Sequence, residues 1–393
     1  MKTLPFNVWL LMIIGSIAMT AAPMVVFTGG FIGAALAPSS TLATLPVAMM
    51  VVGTAVAVVP VTFLMQRIGR KRAFLLGSFI SSGGALLSAF SVAEHHFWLF
   101  CCGILLLGAG LAFVQQYRFA AMESVEPDKM ASAAARVLLG GLIAAYVGPE
   151  ISLGSKDLFT TPYVGGFVIL AGLYISCSIL ILFYKPKLIM ASEHQGTGRD
   201  LLSIASQPVF WAAILSAAVG YAMMSFVMTA TPMSMHMDMG HSLENTKWVI
   251  QSHIMAMFIP SFFSGWLIGR FGTSNVMLAG VLAFVLCIII AFVDQALMNY
   301  WLALILLGVG WNFLFVGGTS LLPHSYREGE QFKAQAFNEF CVFGFQAVAS
   351  LSSGWVLYTF GWHALLVICV PLLFIVLSAI YCWKRAEPQG VNC

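Results

Sequence analysis

The chain has 393 residues, of which 60% are hydrophobic and 8% charged, with a formal net charge of +3. A water-soluble domain carries about 25% charged residues, so this composition excludes a hydrated globular enzyme and points to a protein that meets lipid. The small positive balance fits a membrane topology rather than nucleic-acid binding.

Apolar stretches follow one another along the chain, each near the roughly 20 residues that a helix needs to cross hydrocarbon. Lipid offers backbone groups no partners, so all of them must be helical. In chain order the predicted spans are 7–34, 42–65, 73–92, 98–120, 132–153, 162–184, 208–231, 246–268, 275–293, 300–321, 334–357 and 363–383. The first is too long for a signal-peptide core and reads as an uncleaved helix. One long polar break, KPKLIMASEHQGTGRDLLSIASQ at 185–207, divides the chain into a six-helix bundle over 1–184, a cytoplasmic linker over 185–207 and a second six-helix bundle over 208–393. Lys2, Arg67, Arg70, Lys71, Arg72, Lys129, Lys185, Lys187, Arg199, Arg270, Arg327, Lys333, Lys384 and Arg385 fall on one side, and only Lys156 and Lys247 on the other. That asymmetry places both termini in the cytoplasm. The eight cysteines show no CxxC spacing, which argues against a disulfide framework. Adjacent Cys101 and Cys102 read as apolar filler.

The halves resemble each other. ILLLGAGLAF at 104–113 aligns without gaps with LILLGVGWNF at 304–313, and QRIGRKR at 66–72 has a counterpart in GRFG at 269–272. Such a repeat points to a transporter whose site lies at the repeat interface near mid-membrane. Six plus six helices with a basic turn after the second resembles the major facilitator superfamily across essentially the whole chain. The family's turn reads Gly-x-x-x-Asp-Arg-x-Gly-Arg-Lys. Arg67, Gly69, Arg70 and Lys71 fit it, while Thr62 stands for the Gly and Gln66 for the Asp. The second copy keeps Gly265, Arg270 and Gly272, with Gly269 for the Asp. The turn thus lacks its carboxylate in both halves. The resemblance implies an all-helical fold of two pseudo-symmetric bundles and alternating access.

Two spacings point to soft-ligand chemistry. Met224 and Met228 on the seventh span, and His253 and Met257 on the eighth, are i,i+4 pairs that share a helical face. Met224 and His253 each lie about 10 Å below the outer surface at 1.5 Å per residue. Thioethers with an imidazole favour Cu(I) over Zn, Mg or Ca, and neutral donors strand no carboxylate in lipid. Packing alone also explains methionines at this spacing. YAMMSFVMTATPMSM at 221–235 with WVIQSHIMAMFIPSFFSGWLIGRFG at 248–272 resembles the CcoA-type copper importers of the superfamily. That resemblance implies that Met224, Met228, His253 and Met257 hold the ion. Bacterial riboflavin carriers share much of the pattern, including YRFAA at 117–121 and RVLLGG at 136–141. An outer loop carrying Met233, Met235, His236, Met237, Met239 and His241 is either a capture site for the ion or a loop with incidental methionines.

Ionisable groups inside spans default to functional hypotheses. Arg118 or Arg136 paired with Glu339 forms either an inner gate or a static pair. Glu150, after Gly148-Pro149, is either a proton carrier in coupling or an ordinary polar helix end. Gln115, Gln116, Tyr146, Tyr221, Gln251, Asn312, Asn338 and Gln346 are cavity-lining candidates. The phosphate loop of an ATPase and the HExxH zinc motif are both missing from the sequence, so no catalytic residue is expected. The sequence thus predicts a twelve-helix secondary transporter of a bacterial inner membrane that imports copper. The ion is its cargo, a cytoplasmic copper acceptor is its implied partner, and no prosthetic group is expected. The alternative is an importer of riboflavin or another small aromatic solute.

Overall fold

The computed structural model describes residues 5–126, 130–185, 199–327 and 330–386. Lys2, Lys129, Lys187 and most of the 185–207 linker, invoked above for topology, lie outside the described residues. Among the described residues there are helices and turns and no strand, as an apolar chain in lipid requires. Nine helical stretches among them are long and apolar enough to cross a membrane, and one bent pair forms a tenth.

The chain divides into two compact units, Met1–Ile189 and Met190–Cys393. In the first, α1 (Phe6–Ala18) and α2 (Ala21–Leu36) form the first span, broken at Met19–Thr20. Then follow α3 (Leu45–Ile68), α4 (Arg70–Ala93), α5 (Phe97–Val114) with its continuation α6 (Tyr117–Met122), α7 (Met130–Gly154) and α8 (Val164–Ile181). The second unit opens on the short α9 (Leu201–Ala205) and continues with α10 (Pro208–Met233), α11 (Leu243–Phe258), α12 (Ser261–Phe271), α13 (Thr273–Val293), α14 (Leu297–Leu321) and α15 (Gln331–Ala386). The pair α11–α12 is one span bent by 44°. Gly361, at φ 81°, divides α15 into the last two spans.

Each unit repeats one packing order. In the first, α1 packs on α7, α3 and α4 pack on α5, and α4 packs on α8. In the second, α10 packs on α15, α11 and α13 pack on α14, and α13 packs on α15. The repeated Gly-x-Gly explains why. A Cβ at Gly108 would stand 2.0 Å from the carbonyl oxygen of Met50 on α3, and one at Gly110 would stand 1.8 Å from Ser81 Oγ on α4. In the second copy, Gly308 abuts the carbonyl of His253 on α11 and Gly310 abuts that of Gly280 on α13. One glycine admits one neighbouring helix and the next admits the other, which is how helices gain contact where lipid removes the hydrophobic drive to associate.

Candidate substrate site

The helix breaks leave polar backbone inside the apolar layer, and side chains reach several of the freed groups. At the break of the first span, Tyr174 donates its hydroxyl to the carbonyl of Ala18 at 2.9 Å, and Thr20 Oγ1 donates to Ser16 O at 3.0 Å. At the α11–α12 break, Pro260 has no N–H to give. Asn312 of α14 spans that gap. Its Nδ2 donates to Met257 O at 2.8 Å and to Ser261 Oγ at 2.5 Å, and its Oδ1 accepts from Ser264 Oγ at 2.8 Å. Asn312, one of the cavity-lining candidates, thus spends its amide holding a bent helix.

α14 also orders the proposed soft donors. Leu314 and Trp311 lie against Gly220 of α10, and Gly318 lies against Ala213 and Ala217, so these helices run antiparallel. α11 runs parallel to α14, with His253 at Leu304, Met257 at Gly308 and Ser261 at Asn312. Extending α10 by one to two turns brings Met224 and Met228 to the levels of Met257 and His253. The pairs are therefore level with each other, but each helix leans on α14. Met224, Met228 and His253 are buried and Met257 is half-buried. His253 Nδ1 donates to Leu304 O at 2.7 Å, and its Nε2 has no partner among the described residues. No three His, Cys, Asp or Glu side chains gather in metal-binding geometry among those residues.

The outer loop is smaller than the sequence suggests. Pro232 does not end the helix. α10 runs to Met233, and a wide turn, Ser234–Asp238, carries it on. Met233 and Met235 are completely buried and so are not free donors of an open loop. His236 Nδ1 donates to His241 O at 2.7 Å, and His241 Nε2 donates to Gln295 O at 3.0 Å. Met237 and Met239 are exposed.

In the first unit, Arg118 and Gln115 line a cavity of about 90 Å³ with Gly15, Met19, Leu111 and Val137. The guanidinium lies 4.8 Å from the Phe119 ring centre, and its covered Nε–H has no acceptor among the described residues. Gln116, beside Gln115, sits at the turn between α5 and α6. Arg136 covers Trp9 at 5.2 Å. Glu150 and Glu339 are both half-buried, while Tyr146 is exposed. Gln251 and Asn338 are buried. Gln346 donates to Ser225 Oγ at 3.2 Å, one of the bonds that tie α15 to α10.

Two carboxylates escaped the sequence reading. The missing acid of the basic turn is supplied from a distance. Arg70 donates to both oxygens of Glu123, its Nε at 2.6 Å, and Lys71 caps the Leu182 carbonyl at 2.5 Å. In the second unit, Glu330 accepts three hydrogen bonds from Arg199 side-chain nitrogens, between 2.8 and 3.2 Å. It also accepts from the backbone N–H groups of Arg199 and Arg327. Those donors, Arg199 foremost, hold its carboxyl down at about 2.

Tyr221, one of the cavity-lining candidates, belongs to an aromatic cluster whose other members the sequence did not single out. Trp311 and Phe315 stack at 5.2 Å with their planes 9° apart, and Tyr221 meets both edge-on at 5.1 Å. Phe258 closes on Trp311 at 6.2 Å. The buried indole N–H of Trp311 has no acceptor among the described residues. In an apolar span an aromatic residue reads the same facing lipid or a ligand, so only the missing acceptor distinguishes it.

The family model of the major facilitator superfamily matches residues 8–250 and 213–392. The chain belongs to the major facilitator superfamily: it is a multi-pass membrane transporter and not an enzyme. Among curated relatives, it is 34% identical over 393 residues to the riboflavin transporter RfnT of Brucella anthropi, covering 98% of this chain and 96% of that one. It is 30% identical over 316 residues to the uncharacterized transporter YddS of Bacillus subtilis, covering 76% and 72%. Among solved structures, a bacterial homolog of the human lysosomal transporter Spinster superposes with a TM-score of 0.71 at 14% identity, covering 97% and 96%. The Escherichia coli fucose:proton symporter FucP gives 0.61 at 15% identity, covering 97% and 98%. These two bear on the fold alone.

Proposed function

We propose that this transporter carries riboflavin or a closely similar planar heteroaromatic solute into the cytoplasm across a bacterial inner membrane. The observation that carries the reading is Trp311, a buried N–H donor without an acceptor, set in a cluster of Tyr221, Phe258 and Phe315. A ring system that stacks and offers a carbonyl or ring nitrogen suits such a wall, since buried indoles normally find a partner and an unmet donor costs about 1–3 kcal/mol. The relative at 34% identity, named a riboflavin transporter, supports the same choice. The test is riboflavin uptake into proteoliposomes. Intact protein accumulates flavin above empty vesicles, and Trp311→Phe, which keeps the ring and removes the donor, raises KM. Absence of uptake by the intact protein sinks the reading.

Copper carriage is the second reading, and His253 favours it. With Nδ1 held by Leu304, Nε2 presents a lone pair, and second-partner fixing of this kind is how ligating imidazoles are oriented. Met224, Met228 and Met257 would complete a soft donor set. Copper uptake in the same vesicles, lost in a Met224→Ala, His253→Ala double variant while riboflavin uptake persists, distinguishes it.

A further inference from the structure

The cavity beside Arg118 is about 90 Å³, well above the roughly 10–15 Å³ that one water needs. Pockets for drug-sized ligands run to about 300–1,000 Å³, so this space admits one edge of a flavin and not its three rings. Gly15, Met19, Leu111 and Val137 make the walls apolar, and Gln115 and Arg118 bring the polar groups. The Phe119 ring, 4.8 Å from the guanidinium carbon, favours one placement of the fork through cation–π attraction. Its Nε–H is covered and has no acceptor among the described residues. A covered donor left unmet costs about 1–3 kcal/mol, which an acceptor recovers when it enters the cavity and the side chain shifts to meet it.

We propose that Arg118 is a specificity-determining residue that reads the acceptor edge of the flavin ring, where carbonyl oxygen O4 stands beside ring nitrogen N5. Arginine forks recognise that chemistry elsewhere: the commonest specific contact to guanine is bidentate to O6 and N7, a carbonyl beside a ring nitrogen. Lysine, a point charge without a fork, is no substitute. The proposal rests on the flavin reading above and adds the atoms that are read.

The test compares riboflavin with 5-deazariboflavin, in which N5 is replaced by C–H, by flavin fluorescence on the purified full-length protein. Intact protein binds the deaza analogue about tenfold more weakly, within the range a bidentate base-edge pair delivers. Arg118→Gln and Arg118→Lys bind riboflavin more weakly and no longer distinguish the two flavins. Gly15→Ala supplies an independent variant, because its Cβ would meet only Val137 at 3.7 Å and Tyr117 at 3.8 Å and beyond. It folds as the intact protein does and weakens both flavins by narrowing the cavity. Equal binding of the two flavins by intact protein overturns the proposal, as does a preference that survives in Arg118→Gln, or unchanged affinity in Gly15→Ala. If intact protein binds no riboflavin, the flavin reading itself falls.

Discussion

His253 donates its Nδ1–H to the carbonyl of Leu304 at 2.7 Å, across the seam where Gly308 lets α14 approach α11. Because a carbonyl only accepts, the proton must sit on Nδ1, and Nε2 is the bare nitrogen. Replacing His253 by Ala removes that bond, worth about 1 kcal/mol, and empties a buried site. The expected result is a lower melting temperature in detergent, with riboflavin uptake per folded molecule unchanged. A loss of riboflavin uptake in fully folded protein would place the imidazole in the flavin site instead.

Asn312→Leu is expected to destabilise more than its size suggests. It strands the Met257 carbonyl and takes away the donor to Ser261 Oγ, while Ser264 Oγ keeps the Pro260 carbonyl as acceptor. Each buried polar group left unmet costs about 1–3 kcal/mol. Thermal unfolding followed by size-exclusion fluorescence should report a drop of about 1–3 kcal/mol for the stranded carbonyl. A shift smaller than one hydrogen bond would mean that the bend holds without this side chain.

The Arg199–Glu330 contact carries a pH signature. Donors hold the folded carboxyl at about 2, against an ordinary value of 4.5. The folded pKa is depressed, so the stabilisation is full above about pH 4.5 and disappears as pH falls toward 2. The melting-temperature difference between intact protein and Glu330→Gln should therefore be constant above pH 4.5 and close up toward pH 2. A difference independent of pH over that interval would show that the carboxylate charge is not what Arg199 stabilises.

The glycine seams give a graded series. Gly108→Ala would press a methyl to 2.0 Å from a main-chain oxygen and Gly308→Ala to 2.7 Å, whereas a Cβ at Gly83 meets nothing within 4 Å. Overpacking costs about 1–3 kcal/mol, so folded yield should fall most for Gly108→Ala and less for Gly308→Ala. Gly83→Ala should match or exceed the parent, since alanine is the better helix former by about 1 kcal/mol. Equal behaviour of all three would mean that the seams relax freely.

The apolar spans were legible because lipid imposes a single constraint on length and composition, and the duplicated segment at 104–113 and 304–313 was legible as a repeat. Arg118 stood out as an ionised side chain inside a span, but its cavity did not, because Gly15, Met19 and Val137 come from other helices. Helix breaks at Met19 and Gln115 were not legible, because no proline marks them. Met235 was misplaced because Pro232 looks like a terminator, although a proline near the end of a helix removes only one donor. Glu123 and Glu330 were hidden by distance in the chain: Arg70 meets its acid 53 positions on, and Arg199 meets its own 131 positions on.

The seams at Gly108 and Gly308 rest on main chain, not on side-chain shape. Side chains on the other faces of those two rods are not needed to close these two seams. One has acquired Gln115 nearby and the other Trp311 and Phe315, while the mirrored scaffold beneath stayed the same. A duplicated ancestor can diverge in cargo by repainting such faces, with the joinery untouched.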